Sequence, residues 1–503
     1  MRSCRPTNVA GEGAGGPEPP RMKLSQLFDS GVPDNARDLE ITGLTADSRA
    51  IKPGYLFAAL KGVAAHGRDF VAQAKANGAV AVLSSGDLGL DPGIAEVVAP
   101  NARRAFARAA SAFYPKRPAT IVAVTGTNGK SSTVDFLRQL WTHSGKRAAS
   151  MGTLGAIGPS GVIDLGHTTP DPAAIHATLT QLANDSVTHV AMEASSHGLE
   201  QHRIDGLSFA AGAFTNLTQD HLDYHADMGA YRDAKLKLWS LVAPDGVAVI
   251  NADAAEGETF ERAAAARNLK LVLCGWRAPR QDALKIVQIQ PRPNAQTMTL
   301  LWGDEEYDVD LPLIGEFQAI NAVTAATLAL ALGEKPETVW AGMTALHPVK
   351  GRMEHVGQSK SGGHVFVDYA HTPDGLDVLL RAARPHAPGR IIAVFGCGGD
   401  RDADKRPKMG AIAARHADVV IVTDDNPRSE DPAAIRAQIL AAAPGAREIG
   451  DRAQAIREGV SMLKAGDALM IAGKGHETGQ IIKGVVHPFS DQTVAREALE
   501  QQS

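Results

Sequence analysis

The chain has 503 residues, of which 44% are hydrophobic and 21% charged, with a formal net charge of −5. That length predicts about three domains at ~150 residues each, and the slight negative charge gives no electrostatic reason to expect nucleic acid or an acidic membrane surface as a partner. Three dispersed cysteines (Cys4, Cys274, Cys397) without metal-type spacing suggest neither a disulfide framework nor a zinc site. With no apolar run near the ~18 residues that span a bilayer, they predict a soluble, cytoplasmic protein.

Residues 1–21 are rich in glycine and proline, lack the apolar core of a secretory signal and are expected to be disordered. Patterned sequence begins at Met22, a candidate biological start. From 22 to 115, short apolar runs such as Tyr55 to Leu60 and Ala79 to Leu83 alternate with turns, and a helix is predicted from about 101 to 113, so this stretch is read as a small α/β domain. Within it Asp47-Ser48-Arg49, in a polar break before Pro53-Gly54, reads locally as a turn.

The stretch 116–346 is predicted to be a central domain organised around a phosphate loop. Ile121 to Val124 read as a buried strand. Val134, Leu137, Leu140 and Trp141 recur at helical spacing, and Gly145 stops the helix. Between them, Gly126-Thr127-Asn128-Gly129-Lys130-Ser131-Ser132 is a shortened form of GxxxxGK[ST], Gly126 to Lys130 spanning five positions. The glycines let backbone N–H groups approach phosphate oxygens at a helix N-terminus, Lys130 reaches the outer phosphates, and the Ser131 hydroxyl is placed for Mg²⁺. Strands and helices then alternate, which predicts a mostly parallel sheet whose strand carboxyl ends gather at the ligand. Two such ends carry Glu193 and His221, which become candidate cation ligands. Thr168 and Thr169 stand before a helix start, and Lys235 has the spacing of a solvated helix lysine.

His347-Pro348 to Gly351 reads as a linker into a third domain, 347–503. There the strands Ile391 to Phe395, Val419 to Thr423 and Ala468 to Ala472 each end in a charged, glycine-containing loop. These loops hold Arg401, then Asp425, Asn426, Pro427 and Arg428, then Gly473 and Glu477, and together they predict a second ligand site in a Rossmann-like sheet.

Seven motifs in order, Gly-Thr-Asn-Gly-Lys-Ser, Met-Glu-Ala-Ser-Ser-His-Gly, Asp-His-Leu-Asp-Tyr-His, Gly-Arg-Met-Glu, Asp-Tyr-Ala-His-Thr-Pro-Asp, Asp-Asp-Asn-Pro-Arg and Gly-Lys-Gly-His-Glu, resemble those of the Mur ligase family. The resemblance runs from about Ser25 to about residue 495. It implies a three-domain α/β ligase that uses ATP and Mg²⁺ to join meso-diaminopimelate to a UDP-N-acetylmuramoyl dipeptide through an acyl phosphate, in peptidoglycan precursor synthesis. It further implies ATP contacts from the Gly126 to Ser132 loop, Asn321, Arg352 and Asp368, and metal ligation by Ser131, Glu193, His221 and a carbamylated Lys235. Lys130, Lys235 and His221 are thereby the expected catalytic residues. Ser48 is assigned to the uridine nucleotide, and Thr168, Thr169, Ser195, Gln201 and Arg203 to the muramoyl peptide. Arg401, Asp425, Asn426, Pro427, Arg428, Gly473 and Glu477 are assigned to the diamino acid. Gln318 departs from the family, which usually has asparagine there. A monomer is expected. Other ligases of the superfamily, and a non-catalytic nucleotide switch, remain alternatives at this point.

Overall fold

The structure is a computed structural model that describes residues 20–62, 66–86, 88–89, 93–221 and 224–502. The extension expected to be disordered lies, up to residue 19, outside the described residues, as does Cys4. The chain forms two compact units. One holds the residues up to Arg117 with Asp171–Thr180 and Gln201–Leu207. The other holds Pro118–Pro170, Gln181–Glu200 and the residues from Ser208 on.

In the first unit, the strands Gly43–Thr45, Tyr55–Ala58, Ala79–Ser84 and Ala95–Val98 pair in that order, all parallel. The helix Ala102–Phe113 starts where the Asn101 side chain accepts the Arg104 N–H, as an N-cap should. It buries Ala102, Phe106, Ala109, Ala110 and Phe113, the 3–4 spacing of one helical face, in a core with Leu44, Leu56, Ala81 and Leu83.

The second unit contains two large sheets. The eleven-stranded sheet is parallel from Ala148–Gly152 through His189–Glu193, Thr120–Thr125, Phe209–Phe214, Val242–Asn251 and Lys270–Gly275 to Ala283–Arg292, with antiparallel strands at both edges. The mostly parallel sheet predicted from the alternation is therefore present; the antiparallel arm Ala283 to Leu311 was not anticipated. Thr120–Thr125 lies between His189–Glu193 and Phe209–Phe214. Its near-continuous apolar run follows from burial on both faces. Lys130–His143 and the alanine-rich helix Glu316–Ala331 contribute Val134, Leu137, Ala322 and Ala326 to the core on this sheet.

In the six-stranded sheet the order is Glu354–Gln358, His364–Asp368, Ala468–Ala472, Ile391–Phe395, Val419–Val422, Arg447–Glu448, with only the first pair antiparallel. Three loops predicted to form a site thus leave three neighbouring parallel strands. A fourth, Asp368 to His371, leaves the strand beside them. A hairpin of Gly479–Ile482 and Val485–Pro488 follows. Among the described residues no helix is long and apolar enough to cross a membrane.

Candidate active site

The loop between Thr125 and Lys130 is a strand-to-helix turn, as read from the sequence. Gly129 has φ +84°, and a Cβ there would lie 2.3 Å from Asn321 Oδ1, so both conformation and space demand glycine. Among the described residues no side chain caps the helix that starts at Lys130, which leaves its first N–H groups available to an anion. The loop is braced from the neighbouring strand end. Asn216 accepts the Thr127 N–H on its carbonyl and the Asn128 N–H on Oδ1, each at 2.9 Å. Thr215 Oγ1 donates to the Asn128 carbonyl at 2.7 Å, and Thr127 Oγ1 to that of Thr218 at 3.1 Å.

Lys130 folds back onto its own loop, Nζ donating to the carbonyls of Gly126 and Thr127 at 2.9 and 2.8 Å. Burial lowers its pKa; Glu193 and Asp220 oppose that shift. The Ser131 hydroxyl donates to Glu193 Oε1 at 2.8 Å. The same oxygen accepts the Thr153 N–H at 2.8 Å. A buried hydroxyl and carboxylate in contact are hard oxygen donors that suit Mg²⁺, which needs few protein ligands when phosphates and water complete its shell. Among the described residues no group of three or more His, Cys, Asp or Glu could hold a metal ion by itself.

Lys235 is 1% exposed, so its spacing misled: the solvated lysine suggested by the helix pattern is a buried one. Its Nζ donates to the Gly126 carbonyl at 2.7 Å and lies 4.2 Å from the Tyr231 ring centroid. Burial, then the nearby Lys130, push its pKa well below that of an ordinary lysine, the condition in which a lysine is a nucleophilic amine. His221 has φ +55° and stands edge-on to His197, ring centroids 4.8 Å apart. Burial pushes the Tyr231 phenol up to about 12; its hydroxyl donates to Thr127 Oγ1 at 3.2 Å.

Thr169 Oγ1 donates to the Glu193 carbonyl and accepts the Ser195 N–H, both at 3.1 Å. Thr168 Oγ1 lies 2.9 Å from Thr153 Oγ1. In the first unit, Ser48 is buried and donates to Gln73 Oε1 at 3.0 Å. Gln201 Oε1 accepts from Arg203 at 2.9 Å.

Gln318, despite replacing an asparagine, ties the helix Glu316–Ala331 to the segment that leads into the six-stranded sheet: its amide donates to the Arg352 carbonyl at 2.8 Å and accepts from Asn321 at 3.0 Å. Arg352 stacks on Tyr369, 4.5 Å from the ring centroid. Asp368 accepts the N–H groups of Met353 and Ala370, each at 2.7 Å. Burial raises its pKa against the pull of Arg352.

At the strand ends of the second sheet, Asp425 and Asn426 are buried. Arg428 is held at φ +53° and donates Nη1 to the Gly399 carbonyl at 2.7 Å. Asn426 Nδ2 donates to Glu477 Oε2 at 2.9 Å. Gly473 has φ +117°, and a Cβ there would lie 2.8 Å from Asp425 Oδ2. Pro427 is buried and Arg401 exposed in these loops. The structure thus gathers Asp425, Asn426, Gly473 and Glu477, with Arg428 in the same loop. Thr153, Tyr231 and Lys474 were missed. Thr153 stands at a strand carboxyl end, where the topological rule could have found it; Tyr231 lies four residues before Lys235, on the same helical face.

A braced phosphate loop in a parallel sheet, joined to a second sheet with converging charged loops, defines an α/β protein that handles a phosphoryl group and a second, charged ligand. The chain belongs to the Mur ligase family. Residues 40–127 match the family's catalytic domain, 124–329 the Mur ligase middle domain and 351–475 the glutamate ligase domain. The UDP-N-acetylmuramoyl-L-alanyl-D-glutamate–2,6-diaminopimelate ligase of Caulobacter vibrioides is 50% identical over 486 residues, covering 95% of this chain and 99% of the relative. That of Rhizobium meliloti is 46% identical with the same coverage. A solved structure of such a ligase is 33% identical, with a TM-score of 0.72 over 96% of this chain and 99% of that one. MurF from Acinetobacter baumannii, 18% identical with a TM-score of 0.61 over 92% of this chain and 94% of its own, shares the fold.

Proposed function

We infer that this chain is an ATP-dependent, amide-bond-forming ligase that adds meso-2,6-diaminopimelate to UDP-N-acetylmuramoyl-L-alanyl-D-glutamate, with release of ADP and phosphate, in peptidoglycan precursor synthesis. The observation that carries the reading is the cluster of Asp425, Asn426, Arg428 and Glu477 at the ends of the two strands that flank Ile391–Phe395. It offers both a guanidinium and carboxylates, the complement of an amino acid head group. The relatives at about half identity are named for the same activity.

The substrate carboxylate attacks the γ-phosphorus of ATP and ADP leaves. The amine of diaminopimelate then attacks the acyl carbon and phosphate leaves. Lys130 and the uncapped N–H groups of its helix neutralise charge on the moving phosphoryl group. Asn321, Arg352 and Asp368 hold the nucleotide. Ser131, Glu193, His221 and, once carbamylated, Lys235 would hold Mg²⁺, which supplies charge neutralisation at the phosphates. A lysine kept neutral by burial is the form that adds CO₂ to become a carbamate. Thr168, Thr169, Ser195, Gln201 and Arg203 orient the muramoyl peptide, and Ser48 the uridine nucleotide. Arg401, Pro427 and Gly473 complete the diamino-acid pocket. We place the domains at 22–115, 116–346 and 347–503 and propose a cytoplasmic monomer without a nucleic-acid or membrane partner.

The test is an amino-acid panel with ATP and the peptide nucleotide, read by phosphate release. Release should require both the nucleotide and meso-diaminopimelate and strongly favour that amino acid over L-lysine. ATP hydrolysis at one rate whether or not they are present would overturn the reading.

A further inference from the structure

Lys474 sits among the residues just assigned to the diamino acid and has no role in that assignment. Its side chain is fully buried, 0% exposed. The backbone turns it inward between two glycines: Gly473, at φ +117°, and Gly475, at φ +54°, where a Cβ would lie 2.7 Å from that of Tyr369. Its Nζ donates to Asn426 Oδ1 at 3.0 Å and to Glu477 Oε2 at 3.1 Å, and lies 3.7 Å from Asp425 Oδ1. Asn426 Nδ2 donates to the same Glu477 oxygen at 2.9 Å, and Asn426 Oδ1 also accepts the Ile481 N–H at 2.9 Å.

Two donors therefore clamp Glu477 Oε2, while Oε1 takes no donor among the described residues and the side chain stays 34% exposed. Asp425 and Glu477 place two carboxylates beside the buried Lys474 ammonium. The buried pair Arg452 and Asp491 in the same sheet shows what a closed structural pair looks like. Both side chains are 0% exposed, and each carboxylate oxygen takes its own guanidinium donor at 2.7 and 2.8 Å. The Lys474 cluster is open by contrast: among the described residues Glu477 Oε1 takes no hydrogen-bond donor, and Asp425 Oδ1 lies 3.7 Å from Lys474 Nζ, beyond hydrogen-bond range.

We propose that Lys474 is a positioning residue for amino-acid selection: it locks Asn426 and Glu477 so that one carboxylate oxygen is turned toward the ammonium at the far end of a diamino acid. The proposal rests on the ligase reading above. Removing one partner of a buried charge cluster leaves the others uncompensated. Here those others are the substrate's acceptors, so the loss falls on binding of that one substrate.

The test is steady-state kinetics of the full chain by phosphate release, varying each substrate in turn, for wild type, Lys474→Met and Lys474→Arg. Lys474→Met should raise KM for meso-diaminopimelate roughly 30-fold or more. Its kcat at saturating amino acid should stay within about threefold of wild type, and KM for ATP and for the peptide nucleotide should not move, since their contacts are on other loops. Lys474→Arg should recover most of the loss. An unchanged KM for diaminopimelate, or a common fall in kcat with all three KM values shifted, overturns the proposal; the second result would mark a merely structural lysine. Wild type lacking diaminopimelate-dependent release overturns the ligase reading instead. If Lys474→Met does not fold, Lys474→Gln, which keeps a donor for Asn426 without the charge, takes its place. Failure of both to fold makes Lys474 a folding residue and refutes the inference.

Discussion

Arg428 offers a sharp test, because its backbone and its side chain make opposite demands. Its φ of +53° is in the left-handed region, which costs a non-glycine residue about 1–2 kcal/mol. That conformation is held by the hairpin: the Arg428 N–H donates to the Ile481 carbonyl at 3.0 Å and its own carbonyl accepts the Lys483 N–H at 2.6 Å. The guanidinium uses Nη1 on Gly399, and Nε and Nη2 take no acceptor among the described residues, a fork matched to a carboxylate. Loss of a charged partner for a bound carboxylate costs about 2–5 kcal/mol. At about 1.4 kcal/mol per tenfold, Arg428→Gly should raise KM for meso-diaminopimelate by roughly 30- to several-thousand-fold. The same change relieves the backbone strain, so Tm should stay level or rise, whereas a residue kept for stability would lower it. Arg428→Lys keeps the charge but not the fork and should fall between. The assay is phosphate release with diaminopimelate and with L-lysine, paired with thermal unfolding. An Arg428→Gly enzyme with the wild-type KM and an undiminished preference over L-lysine would refute the assignment.

Lys235→Ala should abolish ligation and be partly rescued by short carboxylic acids, which can occupy the place of a carbamate; full activity without rescue would return Lys235 to a structural role. Because the folded protein holds the Lys235 proton more weakly than the unfolded chain does, stability rises with pH toward the ordinary lysine range. Lys235→Met, in bicarbonate-free buffer at pH 7, should therefore raise Tm, by an amount that shrinks as pH approaches 10. His176 is 1% exposed, Nε2 has no hydrogen-bond partner among the described residues, and burial, then Arg117, lower its pKa from 6.5 to about 4. Its contribution is intact above pH 6.5 and is lost as pH falls toward 4, about 3 kcal/mol for a shift of that size. His176→Leu should flatten the acid limb of Tm between those values, and an unchanged limb would show that other groups set it.

The sequence by itself determined the elements whose signal is local. The phosphate loop was legible because an apolar run, glycines at turn positions and a 3.6-residue period are all contiguous along Ile121 to Trp141. The strand ends carrying Glu193, Asp425 and Glu477 were legible for the same reason, since chain alternation implies a parallel sheet and a parallel sheet implies where its ligands bind. Only the tertiary structure decided which of these ends meet: Ser131 and Glu193 are 62 residues apart in the chain and 2.8 Å apart in space. It also decided the state of single side chains. Lys235 has the local pattern of a surface lysine, and Lys474 that of one polar residue in a glycine-rich loop. Periodicity reports the faces of one element, whereas burial and charge are sums over neighbours brought by other elements, so a buried amine above Gly126 and an ammonium clamping Glu477 have no signature in spacing. The hairpin that holds Arg428 in a left-handed conformation lies about 50 residues further along the chain, at Gly479 to Pro488, and its grip on that residue exists only after the sheet between them has formed.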